Sequence, residues 1–245
     1  MKIINSKNNP LIVNLNKLKD KKNRNIEHKF IIEGLHLVKE AYNDKCLLMV
    51  LSTDEELLKE FKVETILVND EIIKKLSNTL NPQKIVGIAE LKEQELTNDE
   101  KRIVLLDDIQ DPGNMGTIIR TAAALGYDAV ISSLNSVDYY NDKVIRSSQG
   151  AIFKIKILNN DLITSINQLK KLSFHLYGTS LKANILIENI TKNEKLAVIF
   201  GNEAHGVSKD ILDMCDELFK IEMKNNVESL NVAVTSAIIL YELSK

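Results

Sequence analysis

Apolar residues in the first ninety positions alternate between helical and extended spacing. Leu11, Leu15 and Leu18 recur on one helical face within 10–19, and a basic turn, Lys21-Lys22-Asn23-Arg24-Asn25, follows. Phe30-Ile31-Ile32 reads as a short strand ended by Glu33-Gly34, and Leu37, Val38, Ala41 and Tyr42 give the apolar stripe of the next helix. Apolar strands over 46–51, 65–68 and 85–91 are interleaved with helices marked by Leu57, Leu58 and Phe61 and by Ile72, Ile73 and Leu76. That alternation predicts a small α/β unit. From Lys92 to Arg102 the chain is mostly charged and polar and has little to bury, which marks a domain boundary. The expected division is 1–95, a linker over 96–102, and a second domain over 103–245.

The second domain repeats the alternation. Strands are expected over 103–106, 129–131, 174–177 and 196–200, and helices over 114–125 and 161–171. The last helix, about 230–243, is apolar nearly all round, which suits either the centre of the domain or a subunit interface.

Composition narrows the class. At 245 residues, 44% apolar and 27% charged, the chain sits near globular averages. Cys46 and Cys215 make neither a disulfide framework nor a zinc site unaided, and His28, His36, His175 and His205 are too scattered for a metal, so no metal is expected. No apolar run approaches the roughly 18–20 residues that span a membrane. Residues 1–9 lack the apolar core of a signal peptide, so the expected place is the cytoplasm, without a membrane partner. The net charge of −2 hides an asymmetry: residues 1–30 carry +6, the remainder −8. Such a basic segment is either a local phosphate contact or a solvated lysine-rich helix end.

Three polar, glycine-bearing loops follow apolar strands, where an open α/β sheet binds its ligands. The first, Leu106 to Ala122, turns at Pro112-Gly113, offers Asn114 as a helix cap and places Arg120 a turn or two into the helix. The second, Val198 to Ser208, has Gly201 and Gly206 for close backbone approach and Glu203 to hold a cation or orient an arginine, but no Gly-Lys-Ser/Thr of a phosphate loop. The third, Phe219 to Ala233, sets Ser229 and Asn231 at the mouth of the apolar helix. There Ser229 reads first as a cap, and Asn231 needs a partner for its amide.

Together the loops resemble the three motifs of the SpoU/TrmH class of SPOUT methyltransferases, which methylate the ribose 2′-hydroxyl of RNA. The first motif is carried by Asp111 to Arg120, the second by Phe200-Gly201-Asn202-Glu203-Ala204-His205-Gly206-Val207-Ser208, and the third by Val227-Glu228-Ser229-Leu230-Asn231-Val232-Ala233. Asp142 to Phe153 is similar to the family's segment between the first two. Residues 1–95, especially Phe30 to Gly34, resemble more loosely the small substrate-binding domain of rRNA-modifying members. Glu222 departs from the proline many relatives have before the methionine.

The resemblance implies an L30e-like α/β domain followed by a SPOUT α/β domain with a deep trefoil knot, a path that general topology rules argue against. It implies S-adenosylmethionine as cofactor, held at Gly201, Ile221 and Leu230, with Thr179 a weaker assignment. Asn114, Arg120, Glu203, Ser229 and Asn231 become the catalytic set. Arg120 is the family's base. A guanidinium with a pKa above about 12 also suits phosphate binding and stabilisation of developing alkoxide charge, oriented by Glu203. Lys21, Lys22, Arg24 and Arg146 are the expected RNA contacts, and a homodimer is expected, with the arginine available to the partner's site. The expected substrate is 23S rRNA or a precursor ribosomal particle. A tRNA methyltransferase of the same family and a non-catalytic RNA-binding protein are the alternatives, and Cys215 is expected to be structural.

Overall fold

The computed structural model describes residues 2–225 and 227–245. In chain order its early elements are β1 (Lys2–Ile4), α1 (Pro10–Lys17), α2 (Lys21–Glu27), β2 (Lys29–Glu33), α3 (Leu35–Asn43), β3 (Leu47–Ser52), α4 (Glu55–Leu58), β4 (Glu64–Val68), α5 (Asp70–Leu76) and β5 (Ile85–Glu90). Then come β6 (Arg102–Asp107), α6 (Pro112–Ala124), β7 (Ala129–Ser132), α7 (Asp142–Ser148), β8 (Lys156–Asn159) and α8 (Leu162–Lys171). Last are β9 (His175–Thr179), β10 (Ile185–Leu186), β11 (Leu196–Gly201), α9 (Lys209–Leu212), β12 (Glu217–Lys220) and α10 (Val232–Ser244). Two compact units result: Met1–Glu93 with Tyr140–Phe153, and Gln94–Tyr139 with Lys154–Lys245.

The first unit is a five-stranded mixed sheet in the order β1-β4-β3-β5-β2. β1 pairs parallel with β4, a strand the polar start of the sequence did not announce; Ile4 is its buried anchor. The expected basic turn is instead the helix α2, because Asp20 caps it and accepts from the N–H groups of Lys22 and Asn23. Residues 140–153 belong here although sequence order assigns them to the second domain. The Tyr140 ring centroid lies 4.6 Å from that of Phe30, and Phe153 stacks at 6.3 Å.

The expected linker is anchored, not merely solvated. Glu100 is buried and accepts from Thr97 N at 2.8 Å and from Lys156 Nζ, and Leu96 packs on the core. Burial pushes the Glu100 carboxyl up, but the bonds from Lys156 and Thr97 outweigh it and hold the group below its ordinary value.

The second unit is a seven-stranded sheet in the order β10-β12-β9-β11-β6-β7-β8, and every pairing in it is parallel. Both faces are covered, so β11 is buried along its whole length and reads as one apolar run. The order reverses between β6 and β11, and the carboxyl ends of β9, β11 and β12 therefore open on one side of the switch. No helix among the described residues is long and apolar enough to cross a membrane.

Candidate active site

Those strand ends form one wall of a cleft of about 1070 Å³, and residues 228–231 with the start of α10 form the other. Thr179, Gly201, Glu203, Ile221, Ser229, Leu230 and Asn231 all line it. Gly201 has a steric reason to be glycine: a Cβ there would stand 2.1 Å from Gly206 C and Val207 N. The loop 202–206 curls back on the end of β11, closed by Gly206 N donating to Asn202 O at 2.8 Å.

The three polar loops meet through side-chain amides. Asp111 caps α6, its Oδ1 accepting from Asn114 N at 2.8 Å, and Pro112 follows at the first helical position. Asn114 is thus not the cap the sequence suggested, and its side chain is available to the site. Asn231 is the cap of α10, accepting at Oδ1 from Ala233 N and Val234 N. That leaves Asn231 Nδ2 to donate to Asn114 Oδ1 at 3.0 Å, and Asn114 Nδ2 to donate to Glu203 Oε1 at 2.8 Å. Each amide has one polarity consistent with its partners, and the series ends on a carboxylate. Ser229, the first candidate for the cap, is exposed in the cleft wall two residues earlier.

Arg120 stands apart from this cluster. It is exposed on α6 and carries no hydrogen bond or ion pair among the described residues, and within one chain the partner of Glu203 is Asn114. Six residues of helix carry Arg120 about 9 Å along and roughly 120° around from Asn114. Thr179 Oγ1 donates to Ile199 O at 2.8 Å, so its hydroxyl proton is already used within the sheet. Burial pushes the Cys215 thiol up to about 12, which keeps it protonated near neutrality and unfit as a nucleophile. Among the described residues no group of His, Cys, Asp and Glu gathers as metal ligands.

Sequence reasoning missed the residues that hold the second loop. Asp107 Oδ2 accepts from Ser208 N at 2.8 Å, and Asn202 Nδ2 donates to Asp108 O at 2.9 Å and Oδ2 at 3.1 Å. Asp108 adopts a left-handed backbone, φ 58°. Paired aspartates directly after an apolar strand were the available signal.

In the first unit Lys21 and Lys22 are exposed on α2, and Arg146 is partly exposed and paired with Asp142 at 2.5 Å. Arg24 corrects an expectation. It is 6% exposed and donates from Nη1 to Leu18 O at 2.9 Å and Lys19 O at 2.7 Å, tying α2 to the end of α1. A guanidinium enclosed this way is a structural donor and not a phosphate contact.

Residues 101–241 match the model of the SpoU rRNA Methylase family, and residues 9–87 match the MRM3-like substrate binding domain. The chain is 35% identical over 247 residues to the 23S rRNA (guanosine(2553)-2′-O)-methyltransferase RlmP of Bacillus subtilis, covering 99% of both chains. An AdoMet-bound rRNA methyltransferase from Sinorhizobium meliloti superposes with a TM-score of 0.90 at 27% identity, covering 99% of this chain and 97% of that one. A solved RNA 2′-O ribose methyltransferase superposes with a TM-score of 0.82, also at 27% identity, over 98% and 97% of the two chains.

Proposed function

The chain belongs to the SpoU rRNA methylase family, and from that premise we propose that it methylates a ribose 2′-hydroxyl of 23S rRNA, using S-adenosylmethionine. The observation that carries this reading is the joining of all three motif loops, Asn231 to Asn114 to Glu203, at the rim of one large cleft. The cleft fits the cofactor. It has about 1070 Å³ of space, apolar contacts from Ile221 and Leu230, and main chain over 221–223 and 228–231 that runs outside helix and strand, with peptide groups to offer a polar ligand. When bound, S-adenosylmethionine supplies an electrophilic methyl group.

The protein's task is to align and activate a poor nucleophile. Asn114 holds one oxygen of Glu203, and the other carries no hydrogen bond among the described residues. In this proposal that second oxygen orients Arg120 of a second copy, whose guanidinium binds the neighbouring phosphate and stabilises the developing alkoxide. The homodimer is supported by an apolar stripe on α10, where Val234, Ile238 and Tyr241 are 50%, 41% and 56% exposed at successive turns of one face. The trefoil knot belongs to the same proposal, in keeping with the return of the C-terminal α10 to pack against α6 and β11, far earlier in the chain. Lys21, Lys22 and Arg146 are the proposed RNA contacts, on naked rRNA or a precursor particle in the cytoplasm.

The test is transfer of labelled methyl from S-adenosylmethionine to unmodified 23S rRNA, 16S rRNA and bulk tRNA, followed by digestion to nucleosides. Label is expected in a 2′-O-methylnucleoside from 23S rRNA, free or in a precursor particle. Label only in tRNA, or none in any RNA or particle despite cofactor binding, would overturn the assignment.

A further inference from the structure

A second cavity, of about 200 Å³, lies in the first unit. It is walled by Asn81 and Gln83 of the loop between α5 and β5, by His36 at the start of α3, and by Arg146 and Gln149 at the end of α7. Its walls are fixed from behind. Glu33 accepts from Ser77 Oγ at 2.5 Å, Thr79 Oγ1 at 2.7 Å and Gln83 N at 3.0 Å, so both ends of the loop are tied to one carboxylate. Gly34, at φ 99°, lets the Gln83 amide lie on the backbone, since a Cβ there would stand 2.8 Å from its Nε2 and Oε1. His36 Nε2 donates to Gln149 O at 3.1 Å, and Gln149, itself left-handed at φ 50°, donates from Nε2 to Arg146 O at 3.0 Å.

Between the tied ends of the loop stands Leu80, 99% exposed. An isolated apolar side chain on a surface is ordinary. This one sits at the tip of a braced loop whose next residue lines a polar cavity. Amide groups offer a donor and an acceptor side by side, the pattern that matches a nucleobase edge. Arg146 adds a planar guanidinium, which its pair with Asp142 makes a stacking or hydrogen-bonding surface more than a source of net attraction. Aliphatic wedges next to such pockets hold bases out of a stack.

We propose that this cavity takes one nucleobase splayed from a loop of the RNA substrate, with Leu80 wedged into the stacking position that base has left. The proposal rests on the reading of the chain as an RNA methyltransferase and specifies how it tells a looped RNA from a duplex.

Binding of the full chain to a folded transcript of 23S rRNA is to be compared with binding to a blunt RNA duplex of equal length, alongside methyl transfer. Wild type should prefer the transcript. Leu80→Ala and the double variant Asn81→Ala/Gln83→Ala should each weaken transcript binding about tenfold, the scale of one lost base contact, and leave duplex binding alone. Leu80→Phe should restore it, and Leu80→Ala should melt with the wild type because the side chain packs on nothing. Lys21→Ala/Lys22→Ala should instead weaken both RNAs. Unchanged transcript binding by the variants beside an active wild type, or equal weakening on transcript and duplex, overturns the inference alone. A wild type that holds S-adenosylmethionine yet binds neither RNA overturns the function and the inference together.

Discussion

Asn114 uses both ends of its amide, accepting from Asn231 and donating to Glu203. Asn114→Asp keeps the size and removes the donor, leaving a second carboxylate facing Glu203. We expect it to lower single-turnover methyl transfer by about ten- to a hundredfold, with cofactor affinity and melting temperature near wild type, the usual effect of a lost orienting bond. A variant that transfers at the wild-type rate would remove the series from the mechanism. The residue types of this site were legible in the sequence, and their pairing was not. Asp111 and Asn114 are both good caps, and only the geometry of Pro112 at the first helical position assigns the role to Asp111. Arg120 reads as a neighbour of Glu203, but spacing along the chain does not say whether the pair would form within one copy or between two.

At the scale of elements, α10 depends on a cap that also belongs to the site. Asn231→Ala removes both functions and should cost about 1 kcal/mol of stability as well as activity. Asn231→Asp keeps an acceptor for Ala233 and Val234 and adds charge that suits a helix N-terminus, but has no amide to donate to Asn114. It should unfold in denaturant like the wild type and still be slow; recovery of full activity would show that the cap alone matters. The longer amphipathic helices and apolar strands of both units were legible from spacing, whereas α7, β8, β10, α9 and β12 were not expected. Two early elements were hidden for identifiable reasons. α2 shows little apolar face, and its one buried member is the charged Arg24. β1 is three residues long and buries only Ile4, too little for a periodicity to register.

For the whole molecule, the apolar stripe of Val234, Ile238 and Tyr241 sets the expected assembly. Ile238→Glu should convert a dimer into a monomer in analytical ultracentrifugation and abolish methyl transfer while cofactor binding persists, because Arg120 would then lack a neighbouring site to serve. A wild-type chain that sediments as a concentration-independent monomer would refute this. Sequence could not have supplied the strand order of the second sheet or the placement of residues 140–153, since both depend on partners far apart in the chain, such as Phe30 and Tyr140. The same separation bears on how the molecule comes into being. Residues 220, 221, 223 and 228–231 line the cleft, and they leave the ribosome after β6, β7, β8, β9 and β11 have all been made. At about 5–20 residues per second, a nascent chain passes several seconds with most of its sheet available and no complete cleft. The cleft of one chain is therefore completed in a single late step of synthesis, and a ribosome stalled short of α10 carries a chain that still lacks the Asn231 side of its wall.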